Sequence, residues 1–262
     1  MDLKQMLEQG AADAKKELTC INLCLSNRCN ATCIWCPTSR GTKHNYDMPW
    51  ETLKKIVDEL AHPDYPFKTL MIHLSENGEA LYNPDFLKIC RYIKEKLPDT
   101  AVNLLSNFGM LKSSMSKILL EENLLSSLQV NIDGHDEETY KAVKGIPYDA
   151  VISNLLHFIN HMKDINPSFD LCINVMPAFE YAVTVGALFG RPPDQVDGAV
   201  PYSDFDLVEQ SLRNFVPDNI RIRHSKAGLW SERRLVASGL TPRHPDQSKF
   251  CLLYTSPSPR DS

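Results

Sequence analysis

Three cysteines stand together near the start of the 262-residue chain, in the run Cys29-Asn-Ala-Thr-Cys33-Ile-Trp-Cys36, with the spacing C-x3-C-x2-C. Thiolates are soft ligands, suited to iron–sulfur clusters and to zinc. Three of them on one short loop can hold three irons of a [4Fe–4S] cube, which is bound through Cys sulfur. The fourth iron then has no protein ligand nearby. An open metal position is what separates catalytic from structural zinc sites, and the same logic marks this loop as reactive. Structural zinc is the competing reading, and it calls for four ligands, usually as two spaced pairs. Downstream, Cys90, Cys172 and Cys251 are isolated, while His157 and His161 lie on an apolar helical pattern and read as ordinary helix residues. Cys20 and Cys24 form a second C-x3-C pair inside a strand-like run and are expected to be small apolar fillers of a wall. Eight cysteines in 262 residues, behind an N-terminus with no apolar h-region, do not suggest a disulfide framework.

The cysteine run, down to the aromatic Trp35 just before its last cysteine, resembles the cluster loop of the radical S-adenosylmethionine (SAM) enzymes. The resemblance implies a [4Fe–4S] cluster on Cys29, Cys33 and Cys36 whose open iron is chelated by the amino and carboxylate groups of SAM. It also implies the family's activity. An electron from a reductant such as flavodoxin or ferredoxin cleaves SAM to methionine and a 5′-deoxyadenosyl radical, which takes hydrogen from substrate.

Further stretches extend the likeness over roughly residues 18–175. Ser75-Glu76-Asn77-Gly78-Glu79-Ala80 is similar to the family's Gly-Gly-Glu-Pro stretch, with Ala80 where Pro is usual. This implies that Gly78 and Glu79, with Asn77 beside them, meet the SAM amino group. A carboxylate there is chemically apt, because an amine held on iron still needs acceptors and charge-assisted bonds are strong. Ser106-Asn107, within Leu104–Gly109, is similar to the Thr-Asn-Gly signature. Asn131-Ile132-Asp133-Gly134 is similar to Ser-x-Asp-Gly, which implies that Asn131 and Asp133 serve the SAM ribose or carboxylate. Glu138–Gly145 resembles Tyr-x-x-Ile-Arg-Gly with Lys144 in place of Arg. Lys144 is then either a single-point donor to the SAM carboxylate or a solvated helix-end lysine.

The elements that would carry these residues alternate between strand and helix, the pattern of a parallel sheet. Strands are expected at Cys20–Leu25, Thr69–Leu74, Ala101–Leu105, Leu128–Asp133, Phe169–Val175 and Asn219–Arg223. Helices are expected from Met48 to about Ala61, after Asn83, over Ser113–Glu122, Glu137–Val143 and Tyr148–Met162, and near Asp204–Asn214. Leu53, Ile56, Val57 and Leu60 recur at helical spacing. Six such units fit an α/β fold of the partial (β/α)6 TIM-type barrel of the radical SAM core, with the site at the C-terminal strand ends. Residues 179–216, with Arg191-Pro192-Pro193 and Pro201, read as a long loop before the last helix.

The expected organisation is an N-terminal helical lead at 1–17, the core barrel at 18–225, and the start of a C-terminal extension at 226–250. Residues 251–262 read as the in-frame translation of a sequencing adapter, so the natural chain is expected to continue past Phe250. The resemblance implies that this continuation is of the SPASM or twitch type and could bind an auxiliary cluster. A net charge of -5, without a basic block, disfavours nucleic acid as substrate. No run of 18 apolar residues is present, so no membrane span is expected. A reducing cytoplasm suits an oxygen-sensitive cluster. The expected substrate is a peptide or a sugar-type small molecule. A glycyl-radical-enzyme activase, and a non-catalytic zinc or iron–sulfur protein, remain as alternatives.

Overall fold

The computed structural model describes residues 17–18, 20–33, 36, 45–65, 68–75, 78–177 and 202–224. The expected helical lead up to residue 16, Trp35, Asn77, the first part of the 179–216 loop and everything after His224 lie outside them. In chain order the elements are β1 (Glu17–Leu18), β2 (Ile21–Asn22), α1 (Trp50–Leu60), β3 (Lys68–Thr69) and β4 (Met71–His73). A 3-10 turn (Ala80–Tyr82), α2 (Phe86–Lys96), β5 (Ala101–Ser106), α3 (Ser113–Glu121) and β6 (Ser127–Asn131) follow. The remainder is α4 (Glu137–Lys144), α5 (Tyr148–Ile165), β7 (Asp170–Val175), α6 (Phe205–Arg213) and β8 (Arg221–His224). Glu17, expected in the lead, already belongs to a strand.

Six strands form one parallel sheet in the order β2-β4-β5-β6-β7-β8, which is also their order in sequence. Crossovers between parallel strands are right-handed, so a sheet wound in sequence order keeps its helices on one face. The register shows that face: Ile72 opposes Val102, Leu104 opposes Leu128, and Val130 opposes Ile173. All six side chains are buried. They pack with Leu53 and Val57 of α1, Ile89 and Ile93 of α2, and Leu155, Phe158 and Ile159 of α5 in one core. The opposite face carries the alternate positions, among them His73, Asn103, Gln129, Asn131, Asn174 and Arg223. This is the α/β partial barrel expected of the sequence.

Two details differ from the expected strands. The run Thr69–Leu74 is broken at the exposed Leu70, because β3 pairs with β1 while β4 pairs with β2 and β5. Cys20 is not a wall filler: it is exposed, and Cys24 is half-buried. Strand alternation explains this, since Leu23 and Leu25 take the core side and the positions of the other parity turn away from it.

Candidate functional site

The cysteine loop leaves the end of β2 through a tightly tied base. The Asn27 amide donates to the Tyr46 carbonyl at 2.9 Å, the Tyr46 amide donates to Asn27 Oδ1 at 2.7 Å, and Ser26 bridges to Asp47. Arg28 forks onto the Asp47 carboxylate, with Nε 3.1 Å from Oδ1 and Nη2 on Oδ2. The same guanidinium donates to the Tyr82 carbonyl at 3.0 Å and lies over the Tyr82 ring. Further along, the Cys36 amide donates to the Cys33 carbonyl at 3.0 Å, folding those two cysteines into one turn.

The loop carrying Gly78 and Glu79 lies directly on this base. The Glu79 amide donates to the Arg28 carbonyl at 2.8 Å. Gly78 has φ +130°, and a Cβ there would stand 2.4 Å from the Ser26 carbonyl oxygen and 2.8 Å from that of Arg28. Glycine alone combines that backbone with so close an approach. Glu79 is 2 % exposed. Its Oε2 accepts the Asn107 amide at 2.9 Å, while its Oε1 is buried with no hydrogen-bond partner. Burial pushes the Glu79 carboxyl up from its ordinary value, and the Asn107 amide, Ser106, the Leu81 amide and Lys144 pull it back toward the charged form.

Asn107 links this carboxylate to the cysteines. Its side-chain Nδ2 donates to Asn30 Oδ1 at 2.9 Å and reaches Cys29 Sγ at 3.5 Å, and its Oδ1 accepts the Gly109 amide at 2.8 Å. Ser106 Oγ accepts the Phe108 amide at 3.0 Å, which fixes a turn where Phe108 has φ +61°. Burial pushes the Cys29 thiol up to about 11, with Glu79, Cys33 and Cys36 adding to the effect, and burial likewise raises Cys33. Three crowded thiolates need a cationic metal to compensate them, and its binding drives off their protons. Among the described residues, no three His, Cys, Asp or Glu side chains converge on a single ion. A cube does not require that convergence, because each cysteine takes a different iron.

Asp133 and Lys144 lie on the other side of the loop. Lys144 is not a solvated helix-end lysine: it is 3 % exposed, with its ammonium 2.8 Å from Asp133 Oδ2. Burial disfavours its charge, yet the Asp133 carboxylate, with Cys33 and Tyr140, holds it protonated well above the usual ammonium value. Burial pushes Asp133 up, and Lys144 and the Met176 amide pull it down. With an ammonium at that distance the pair is ionic. Asn131 belongs to a separate network on the sheet face away from the helices. Its Oδ1 accepts from Asn174 Nδ2 at 3.1 Å and Gln129 Nε2 at 3.4 Å, while Arg223 donates to Asn174 at 3.1 Å and Gln129 at 2.7 Å. Sequence reasoning singled out Asn131 but missed Gln129, Asn174 and Arg223. The available signal was their parity with Asn131 across three strands.

The profile of the Radical SAM superfamily matches residues 23–177, more than half of the chain. The chain belongs to the radical SAM superfamily. Solved structures agree at the level of the fold. AdoMet-bound anSMEcpe is 14% identical, with a TM-score of 0.53, over 79% of this chain and 51% of that one. Streptococcus suis SuiB bound to the precursor peptide SuiA is 14% identical, with a TM-score of 0.51, over 88% of this chain and 55% of that one. The chain thus spans about half the length of these structures. Among curated proteins none matches it. Membership in the radical SAM superfamily implies an iron–sulfur cluster and SAM. The residues present fit both groups: three thiols sit on one braced loop, and the buried Glu79 Oε1 beside them lacks a partner that an amino group would supply.

Proposed function

We propose that this chain is a radical SAM enzyme that holds a [4Fe–4S] cluster on Cys29, Cys33 and Cys36 and cleaves SAM reductively. The observation that carries the proposal is the web Cys29–Asn107–Glu79, in which the carboxylate tied to the cysteine loop keeps one buried oxygen unpartnered. Once reduced, the cluster would supply the electron that splits SAM. The chain's own part is orientation. Glu79 Oε1 would accept from the SAM amino group, Asn107 would hold Glu79 and Cys29 at a fixed separation, and Gly78 would let the two loops meet. Trp35 and Asn77 are assigned to the same pocket on the resemblance alone.

The substrate we propose is a peptide or sugar-type small molecule. The polar sheet face supports this, since the half-buried Gln129 and Asn131 and the exposed Arg223 place amide and guanidinium groups there, braced by the buried Asn174, that an apolar substrate could not match. A flavodoxin- or ferredoxin-type donor would deliver the electron, and a reducing cytoplasm would keep the cluster intact. No helix among the described residues is long and apolar enough to cross a membrane.

The test is 5′-deoxyadenosine release from SAM by anaerobically reconstituted protein under a strong reductant. Glu79→Ala should weaken SAM binding by about 1.5–3 kcal/mol, the worth of a hydrogen bond to a charged group. Unchanged SAM affinity in that variant removes Glu79 from the site.

A further inference from the structure

Arg223 stands apart from the other arginines of the fold. Arg28, Arg91, Arg213 and Arg221 each pair with a carboxylate, on Asp47, Glu122, Glu209 and Asp170. Arg223 is exposed, and among the described residues its side chain bonds no carboxylate. Neutral amides hold it instead. Asn131, Asn174 and Arg223 stand in one row across β6, β7 and β8, directly opposed in register. Gln129, two residues earlier on the same face of β6, completes the group.

The hydrogen bonds of this group run one way. A guanidinium only donates, so the oxygens of Asn174 and Gln129 face Arg223, 3.1 Å from Nε and 2.7 Å from Nη2. Their amide nitrogens are thereby turned to Asn131, whose Oδ1 accepts both, at 3.1 Å and 3.4 Å. All three side-chain oxygens are engaged within the group. What remains is donors. The Nε–Nη2 edge of the guanidinium is filled, while Nη1, the second hydrogen of Nη2 and Asn131 Nδ2 have no partner among the described residues.

We propose that Arg223 binds a carboxylate of the substrate end-on, through its Nη1–Nη2 edge, with Asn174 and Gln129 holding the guanidinium in place. This rests on the proposed reading of the chain as a radical SAM enzyme with a polar substrate. A planar anion with two oxygens matches the guanidinium fork bidentately. One cation among neutral amides balances a single negative charge, which suits a carboxylate better than a doubly charged phosphate. Lys144 adds no second cation, because its ammonium is committed to Asp133. A neutral analogue would forgo the charged bond and be rejected for it.

The experiment uses the reconstituted, SAM-loaded full chain, with N-acetylglycine as the carboxylate probe and N-acetylglycinamide as its neutral counterpart. Heteronuclear NMR follows the Arg223 Nε–H signal, identified by its loss in Arg223→Lys, and ligand-observed NMR gives the affinity. N-acetylglycine should shift that signal saturably, and N-acetylglycinamide should not. Arg223→Lys keeps the charge without the fork and should bind the probe at least about tenfold more weakly, the worth of a bond to a charged group. Gln129→Glu keeps the contact to Arg223 but cancels its charge, so the probe should no longer bind although far-UV circular dichroism is unchanged. Undiminished binding in either variant, equal response to the two probes, or an unmoved Arg223 signal in the wild type overturns the proposal. An Arg223 signal that SAM alone shifts, and that N-acetylglycine then leaves unmoved, assigns the guanidinium to the SAM carboxylate and also overturns it. A chain that takes up neither cluster nor SAM overturns the proposed function instead, and the probe titration of the cluster-free chain still reads the carboxylate site.

Discussion

At Glu79 the chain holds a carboxylate in a place that costs stability unless a cation joins it. Its folded-state carboxyl is raised by burial, the reverse of the usual salt-bridged acid. The native state therefore binds more protons than the unfolded one between the unfolded value and the raised one. Stability falls as pH climbs through that window and stays low above it. Glu79→Gln should accordingly raise the melting temperature of the cofactor-free protein at neutral pH, flatten its pH dependence just above the ordinary carboxylate range, and weaken SAM binding. A lowered melting temperature would show that the carboxylate is already compensated within the chain. The sequence made Gly78, Glu79 and Asn107 legible as motif members. It did not show Asn107 bridging Glu79 to Cys29, because their separations along the chain carry no trace of that contact. Lys144 shows the limit more sharply: eleven residues from Asp133, it read equally as a solvated helix end, and burial decided otherwise.

Among the elements, α4 and the two glycine turns do most to place the loop. The capping box at Asp136 and the left-handed Gly145 bound a helix of 8 residues, so its last carbonyls fall where Thr32 can use one. Gly145→Ala would add left-handed backbone strain and a Cβ inside the Thr32 side chain. Reconstituted Gly145→Ala should bind markedly less iron while its far-UV circular dichroism matches the wild type. Full iron loading would show that the loop does not depend on this contact. Strand and helix positions were readable from periodicity because the core face is uniform, with Ile72, Val102, Leu104, Leu128, Val130 and Ile173 at alternate positions. Leu70 was not readable as a break. A strand shared between two sheets still alternates, and only pairing with β1 and β2 reveals the division.

Over the whole molecule, the parallel pairing of all six strands places every C-terminal end on the same rim, as in barrels whose loops at that rim carry function. That single topological fact brings Cys29, Glu79, Asn107 and Asp133 to one side from four different βα units. The most direct measurement is anaerobic reconstitution with iron and sulfide, followed by metal analysis and EPR of the dithionite-reduced protein with and without SAM. The account predicts brown protein with about four irons per chain, a reduced-cluster signal whose shape changes when SAM is added, and loss of both in Cys29→Ala, Cys33→Ala or Cys36→Ala. Colourless protein carrying stoichiometric zinc after the same treatment, or a cluster signal indifferent to SAM, would contradict it.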